Sequence, residues 1–233
     1  MPWQTLDPAR AWTISYAFDK KGGLANTCAI KLRDGELLVI APPCSISEAD
    51  FAEIEKHGRP TAIVAPNAYH HLGIPEWSGR YPEAKLYASS GAAKRIAKKY
   101  PDVRAFEPLS SLAAALPSDV VVLEPPGMRI PDVMVRVSTP SGWLWSFNDT
   151  VMNIPELPPG LFGTMMKWTD SGPGFKVARF FTMLALKEKK RFKDWWLGEL
   201  EKAPPAKVMM GHGAPVLDPS AASKLPAMVN AAL

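Results

Sequence analysis

The sequence predicts an α/β fold, with β-structure covered by helices. Three observations carry this. A run of short apolar segments opens the chain, strand and helix patterns then alternate twice, and each alternating half delivers the chain to a histidine. At 233 residues, with 47% hydrophobic and 21% charged residues, the chain is long enough to bury one sizeable core. A composition without shift or repeat marks no linker, so one domain, 1–233, is expected.

The elements come in this order. Residues 11–17 (AWTISYA), 26–32 (NTCAIKL) and 36–40 (ELLVI) read as strands, the last two joined by Arg33-Asp34-Gly35, whose Asp-Gly pair is a tight-turn signal. Ser47 stands as N-cap before the helical ADFAEIEKHG, which Gly58 closes. Thr61–Ala65 (TAIVA) is a fully apolar strand that ends in the polar string Pro66-Asn67-Ala68-Tyr69-His70-His71, and strand ends are where α/β sites are built. Lys85–Ala88, Ser118–Leu123, Val133–Val137 and Trp143–Phe147 read as strands, and Gly91–Tyr100 as a helix. From Lys176 to Lys202 the pattern is helical, and Phe180, Phe181, Leu184, Phe192, Trp195, Trp196 and Leu200 form an apolar stripe that core packing explains better than a membrane surface. Asn153–Phe175, rich in Pro and Gly, reads as a long connection, either a lid with Phe162 and Trp168 on its underside or a packed surface loop. A last strand, Lys207–Met210, runs into Gly211-His212-Gly213, and a short helix begins at Ser220.

Composition narrows the function. The opening MPWQTLDPAR has no basic segment followed by an apolar core, and no run approaches the roughly 20 apolar residues that span a bilayer, so a soluble, cytoplasmic protein without a membrane partner is expected. Two cysteines, Cys28 and Cys44, suit a reducing compartment. The net charge is +4, and its main basic run, Lys187 to Lys193, reads as a solvated helix face; no nucleic-acid signature accompanies it.

In this order the segments resemble the metallo-β-lactamase superfamily over nearly the whole chain. NTCAIKLRDGELLVIAPP is similar to its opening hairpin, with Ala41-Pro42-Pro43 where the superfamily's Asp-Pro-Gly turn would lie. TAIVAPNAYHHLGIPEW is similar to the strand carrying the His-x-His-x-Asp-His signature, LWSFNDTVM to the strand ending in the metal-bridging Asp, and VMMGHGAPV to the late strand ending in Gly-His-Gly. The resemblance implies an αββα sandwich of two mixed β-sheets with a degenerate metal site. Pro66, Ala68 and Met128 stand where the three histidines of the first metal would be, whereas the second metal's positions are His70, His71, Asp149 and His212.

A His–His–His–Asp set can hold Zn²⁺, Mn²⁺ or Fe²⁺. The bland readings are a hydrogen-bonded strand-end histidine for His71, a tight turn for His212 and a helix cap for Asp149. His70 has its own difficulty, since adjacent side chains of a strand point to opposite faces and a bend must bring both histidines round. Two functions are open. One is a mononuclear metal-dependent hydrolase acting on a small-molecule ester, lactone, thioester or phosphodiester. The other is a non-catalytic binding or scaffold protein that has abandoned the metal.

Overall fold

The computed structural model describes residues 2–20, 22–33 and 35–233, and the chain divides into two compact units, Met1–Leu123 and Glu124–Leu233. The first is built on a seven-stranded sheet whose strands lie in chain order: β1 (Gln4–Asp7), β2 (Ala11–Ala17), β3 (Leu24–Lys31), β4 (Glu36–Ile40), β5 (Arg59–Ala65), β6 (Lys85–Ala88) and β7 (Glu107–Pro108). The strands β1 to β4 pair antiparallel through short connections. From β4 onward the pairing is parallel, because each link is now a crossover carrying a helix: α1 (Glu48–Glu55), α2 (Ile74–Arg80) and α3 (Ala93–Lys99). The helix α4 (Leu109–Ala115) then leads into β8 (Val120–Leu123).

Local sequence accounts for most of these boundaries. Ser47 caps α1, its hydroxyl accepting from the Asp50 amide at 3.2 Å while the Asp50 carboxylate accepts from the Ser47 amide at 3.0 Å. The β3–β4 turn is closed by the Glu36 amide on the Arg33 carbonyl at 3.0 Å; Asp34, half of its expected Asp-Gly signal, lies outside the described residues. Apolar positions of the sheet and of α1 to α3 form one cluster around Trp12, Phe51, Ile63, Trp77 and Leu86. Fully burying a large apolar side chain is worth about 1.5–3 kcal/mol, so this cluster anchors the end of β5 from which the signature segment departs.

In the second unit β10 (Gly142–Ser146) lies between β9 (Met134–Thr139), antiparallel to it, and β13 (Pro205–Met209), parallel to it. β11 (Val151–Ile154) and β12 (Gly174–Val177) form a separate antiparallel pair, with α5 (Leu161–Trp168) between them in sequence. The remaining helices are α6 (Arg179–Ala185), α7 (Lys189–Lys202), α8 (Pro219–Ala222) and α9 (Leu225–Ala232). The core centres on Trp145, Phe147, Phe192 and Trp196, with Trp145 stacked on Phe147 at 5.5 Å. The expected α/β class with mixed sheets is therefore present.

Two sequence expectations fail here for identifiable reasons. The continuous helix over 176–202 is broken at Leu186–Glu188, where the amides of Lys187 and Glu188 donate to the Gly127 carbonyl at 2.8 and 2.9 Å instead of continuing a helical ladder. Residues 153–175 are not a plain connection, because Leu161–Trp168 closes into α5, which buries Met166 against Met152 and Ala178.

Candidate metal centre

The first unit presents the signature segment at the end of β5. Asn67, fully buried, accepts through its Oδ1 from the amides of Tyr69 at 2.8 Å and His70 at 3.0 Å. This side-chain turn substitutes for the strand ladder and bends the backbone where it leaves the sheet. Gly73 closes the segment at a point where only glycine fits, since a Cβ there would lie 2.2 Å from the Pro43 carbonyl oxygen and 2.3 Å from that of Pro42. The degenerate hairpin end Ala41-Pro42-Pro43 thus has a structural role. It packs directly on the signature segment, and the Trp77 indole donates to the Pro43 carbonyl at 2.9 Å.

His70 and His71 are both buried, at 4% and 6% exposure. The His71 ring meets Tyr100 edge-on at 5.5 Å, and its buried Nδ1 has no hydrogen-bond partner. Burial, together with the nearby positive charge of Lys99, pushes its pKa down to about 4. At neutral pH the ring is therefore uncharged, the form that ligates a metal.

The second unit brings Asp149 and His212 together. Ser146 and Met209 are paired in register on the parallel strands β10 and β13, and each candidate lies three residues beyond its strand partner. Their side chains meet, His212 Nε2 standing 3.2 Å from Asp149 Oδ1. The Asp149 backbone is held from below by Asp132, a fully buried carboxylate. Its Oδ2 accepts from the Asp149 amide at 3.0 Å and the Thr150 amide at 2.9 Å, and the Thr150 hydroxyl donates to the same oxygen. Asn148 adds a further tie, its amide donating to the Val133 carbonyl at 2.9 Å. Asp149 leads into the strand β11 and not into a helix, so the helix-cap reading of Asn148-Asp149 does not hold.

His212 is fixed by its glycine neighbour. Its carbonyl accepts from the Asn153 amide at 3.0 Å, and Gly213 takes φ +89 where a Cβ would fall 1.9 Å from the Asn153 carbonyl oxygen. The expected substitutions at the other half of the pattern carry no donor suited to zinc. Ala68 belongs to the apolar cluster of the first unit, and Met128 pairs as an isolated bridge with Leu186. Asp132 was not apparent as a site residue from sequence; its one signal is an acid set immediately before the apolar strand VMVRV.

The Asp149–His212 spacing fits two chemistries. It suits an imidazole N–H donating to a carboxylate. It also matches the edge of a tetrahedron around an ion with ligands at about 2.0–2.1 Å, which is about 3.3 Å. A carboxylate beside an imidazole nitrogen is a donor pair that zinc, manganese and iron accept.

No protein-family model matches the sequence, nor does any curated protein. Solved structures do. The DIM-1 metallo-β-lactamase is 13% identical with a TM-score of 0.60, over 99% of this chain and 97% of its own. The VMB-1 structure at pH 5.5 is 14% identical with a TM-score of 0.59, over 99% and 96%. A metallo-β-lactamase from Pontibacter korlensis is 11% identical with a TM-score of 0.59, over 98% of each chain. This chain shares the fold of these metallo-β-lactamases.

Proposed function

We propose that the chain is a mononuclear metal-dependent hydrolase in which Asp149 and His212 hold one divalent ion, the sequence pattern assigning His70 and His71 to the same ion. The observation that supports this most is the Asp149–His212 pair at 3.2 Å, held on both sides by backbone ties that an isolated surface ion pair would not need. Within the first unit, Asn67 holds the His70 amide on a turn at a strand end. His71 packs edge-on against Tyr100 with its ring uncharged at neutral pH.

When bound there, a divalent ion would supply Lewis acidity for a carbonyl or phosphoryl oxygen and for the attacking water. The chain's own contribution is orientation. Asp132 holds the backbone from which the Asp149 carboxylate projects, and Gly213 lets the His212 backbone approach Asn153. The substrate class is a small ester, lactone, thioester or phosphodiester. With Pro66, Ala68 and Met128 on the other half of the pattern, a second ion would have Asp149 and water alone, too few donors for a divalent cation.

The second reading, a non-catalytic relative that binds without metal, draws on Ala68, whose place in an apolar cluster is that of a core residue. Elemental analysis separates the two. Protein purified without chelator and offered Zn²⁺, Mn²⁺ or Fe²⁺ is expected to retain one ion per chain. Complete absence of metal after all three favours the scaffold, and two ions per chain overturns the mononuclear centre.

A further inference from the structure

We propose that the exposed apolar sides of α5 and α6, with the basic run just beyond them, form a docking surface for an anionic lipid bilayer. On α5, Leu161, Met165 and Trp168 keep the i, i+4, i+7 spacing of one helix face, and Leu161 is 76% and Trp168 84% exposed. On α6, Phe180, Met183 and Leu184 keep i, i+3, i+4, with Met183 69% and Leu184 52% exposed. Phe162, itself half exposed, meets Phe180 edge-on at 5.4 Å and joins the two faces.

The inner sides of both helices are already filled. Met166 is buried with Met152 and Ala178, and Phe181 packs against them. The outer side is thus a second apolar face turned to water, and large exposed apolar patches mark interaction sites. Leu184, which the apolar pattern puts in a core stripe, lies on this outer side. The structure buries only the later part of that stripe, Phe192, Trp196 and Leu200.

Charge selects the occupant. Residues 161–193 hold eight of the chain's 27 basic residues and two of its 23 acidic ones, a net +6 against +4 for the whole, so the remainder is net −2. Lys167 adjoins Trp168, and Lys187, Lys189, Lys190 and Arg191, all exposed, come directly after α6. Lys190 and Arg191 do pair with Asp194 and Glu188, but these are surface pairs one helical turn apart, worth well under about 1 kcal/mol each.

A second copy docking face to face about a two-fold axis would set +6 against +6. A nucleic acid would use the cations and leave Leu161, Met183 and Leu184 uncovered. An anionic bilayer uses both, with Trp, Phe and Leu at the acyl boundary and lysine stems reaching the headgroup phosphates. Among the described residues no helix is long and apolar enough to cross a membrane, so the attachment is peripheral.

The test is co-sedimentation of the intact protein with phosphatidylcholine vesicles, pure or containing about one-third phosphatidylglycerol, at low and high salt. Binding is expected on the anionic vesicles only, at least roughly tenfold weaker at high salt. It should fall about fivefold for each of Lys187→Gln and Lys190→Gln. The double variant Leu161→Ser with Trp168→Ser should bind at least about tenfold more weakly at unchanged charge, with an unchanged melting temperature because both side chains already face water. Equal binding to neutral vesicles, or none to anionic ones, overturns the proposal. So does unaltered binding by the double variant, which would mean adsorption by charge alone. A concentration-dependent dimer dissolved by the same double variant gives the face to a second copy and overturns it too. Oligonucleotide binding tighter than vesicle binding, and weakened by Lys187→Gln and Lys190→Gln, overturns it in favour of nucleic acid.

Discussion

Asp132 offers the sharpest test of how the candidate centre is built, because one buried oxygen satisfies three donors. Replacing it with Ala strands the amides of Asp149 and Thr150 and the Thr150 hydroxyl at a site where both Asp132 and Thr150 are fully buried. Each orphaned buried group costs about 1–3 kcal/mol, so Asp132→Ala, which orphans three, should lose about 3–9 kcal/mol, a large part of the roughly 5–15 kcal/mol that folded proteins of this kind possess. Asp132→Asn keeps the shape and one acceptor oxygen while removing the charge, and should lose about 1–2 kcal/mol. Urea unfolding followed by circular dichroism measures both. The same Asn variant should weaken metal retention about 10–100-fold, the range for partners that orient a ligand from behind. If Asp132→Asn leaves both unfolding midpoint and metal affinity unchanged, the carboxylate neither holds the turn nor positions Asp149, and the reasoning fails.

How far the sequence could be read depended on whether a feature was local. The strand Ala11–Ala17 and the strand Glu36–Ile40 are found with the bounds expected for them, because alternating or continuous apolar runs with turn signals at their ends need no distant partner to define them. Ser47 likewise carries its own reason in Asp50 three residues on. The break between α6 and α7 was not legible. It is made by the carbonyl of Gly127, some sixty positions earlier, capturing the amides of Lys187 and Glu188. The short helix α5 was hidden by its Pro and Gly flanks, and its stability comes from Met166 packing on β11 and the start of α6. At the site, the spacing of Asp149 and His212 came from two apolar strands ending alike, which sequence could suggest. Their supports, Asp132 and the close approach of Gly213 to Asn153, are tertiary contacts with no periodic signature.

Three further expectations concern the metal, pH and the turn after β13. His212→Ala should bring metal retention below about a tenth of the parent, whereas Met128→Leu should leave one ion per chain; equal loss in both would place the donors elsewhere. Tyr81, buried and donating to Glu55 at 2.8 Å, has its phenol pKa raised by burial and by that carboxylate. A phenol raised in the folded state adds stability that is full below its unfolded value of about 10 and is lost as pH climbs above it. Tyr81→Phe should therefore be less stable than the parent at neutral pH, and the gap should narrow above pH about 10; a gap that is constant with pH refutes this. Gly213→Ala is also expected to be severe. A methyl group 1.9 Å from the Asn153 carbonyl oxygen cannot be relieved by a rotamer change, since both partners are backbone and φ +89 is itself strained for alanine. The Asn153 amide bond to the His212 carbonyl and the Ala214 amide bond to the Asn153 carbonyl, 3.0 and 3.1 Å, would have to open to make room. Strain of about 1–3 kcal/mol plus two backbone hydrogen bonds predicts a loss of at least about 3 kcal/mol. Metal retention should fall with it, because His212 hangs from the same turn. A Gly213→Ala protein with parental unfolding midpoint and parental metal content would show that the turn has room the geometry denies it.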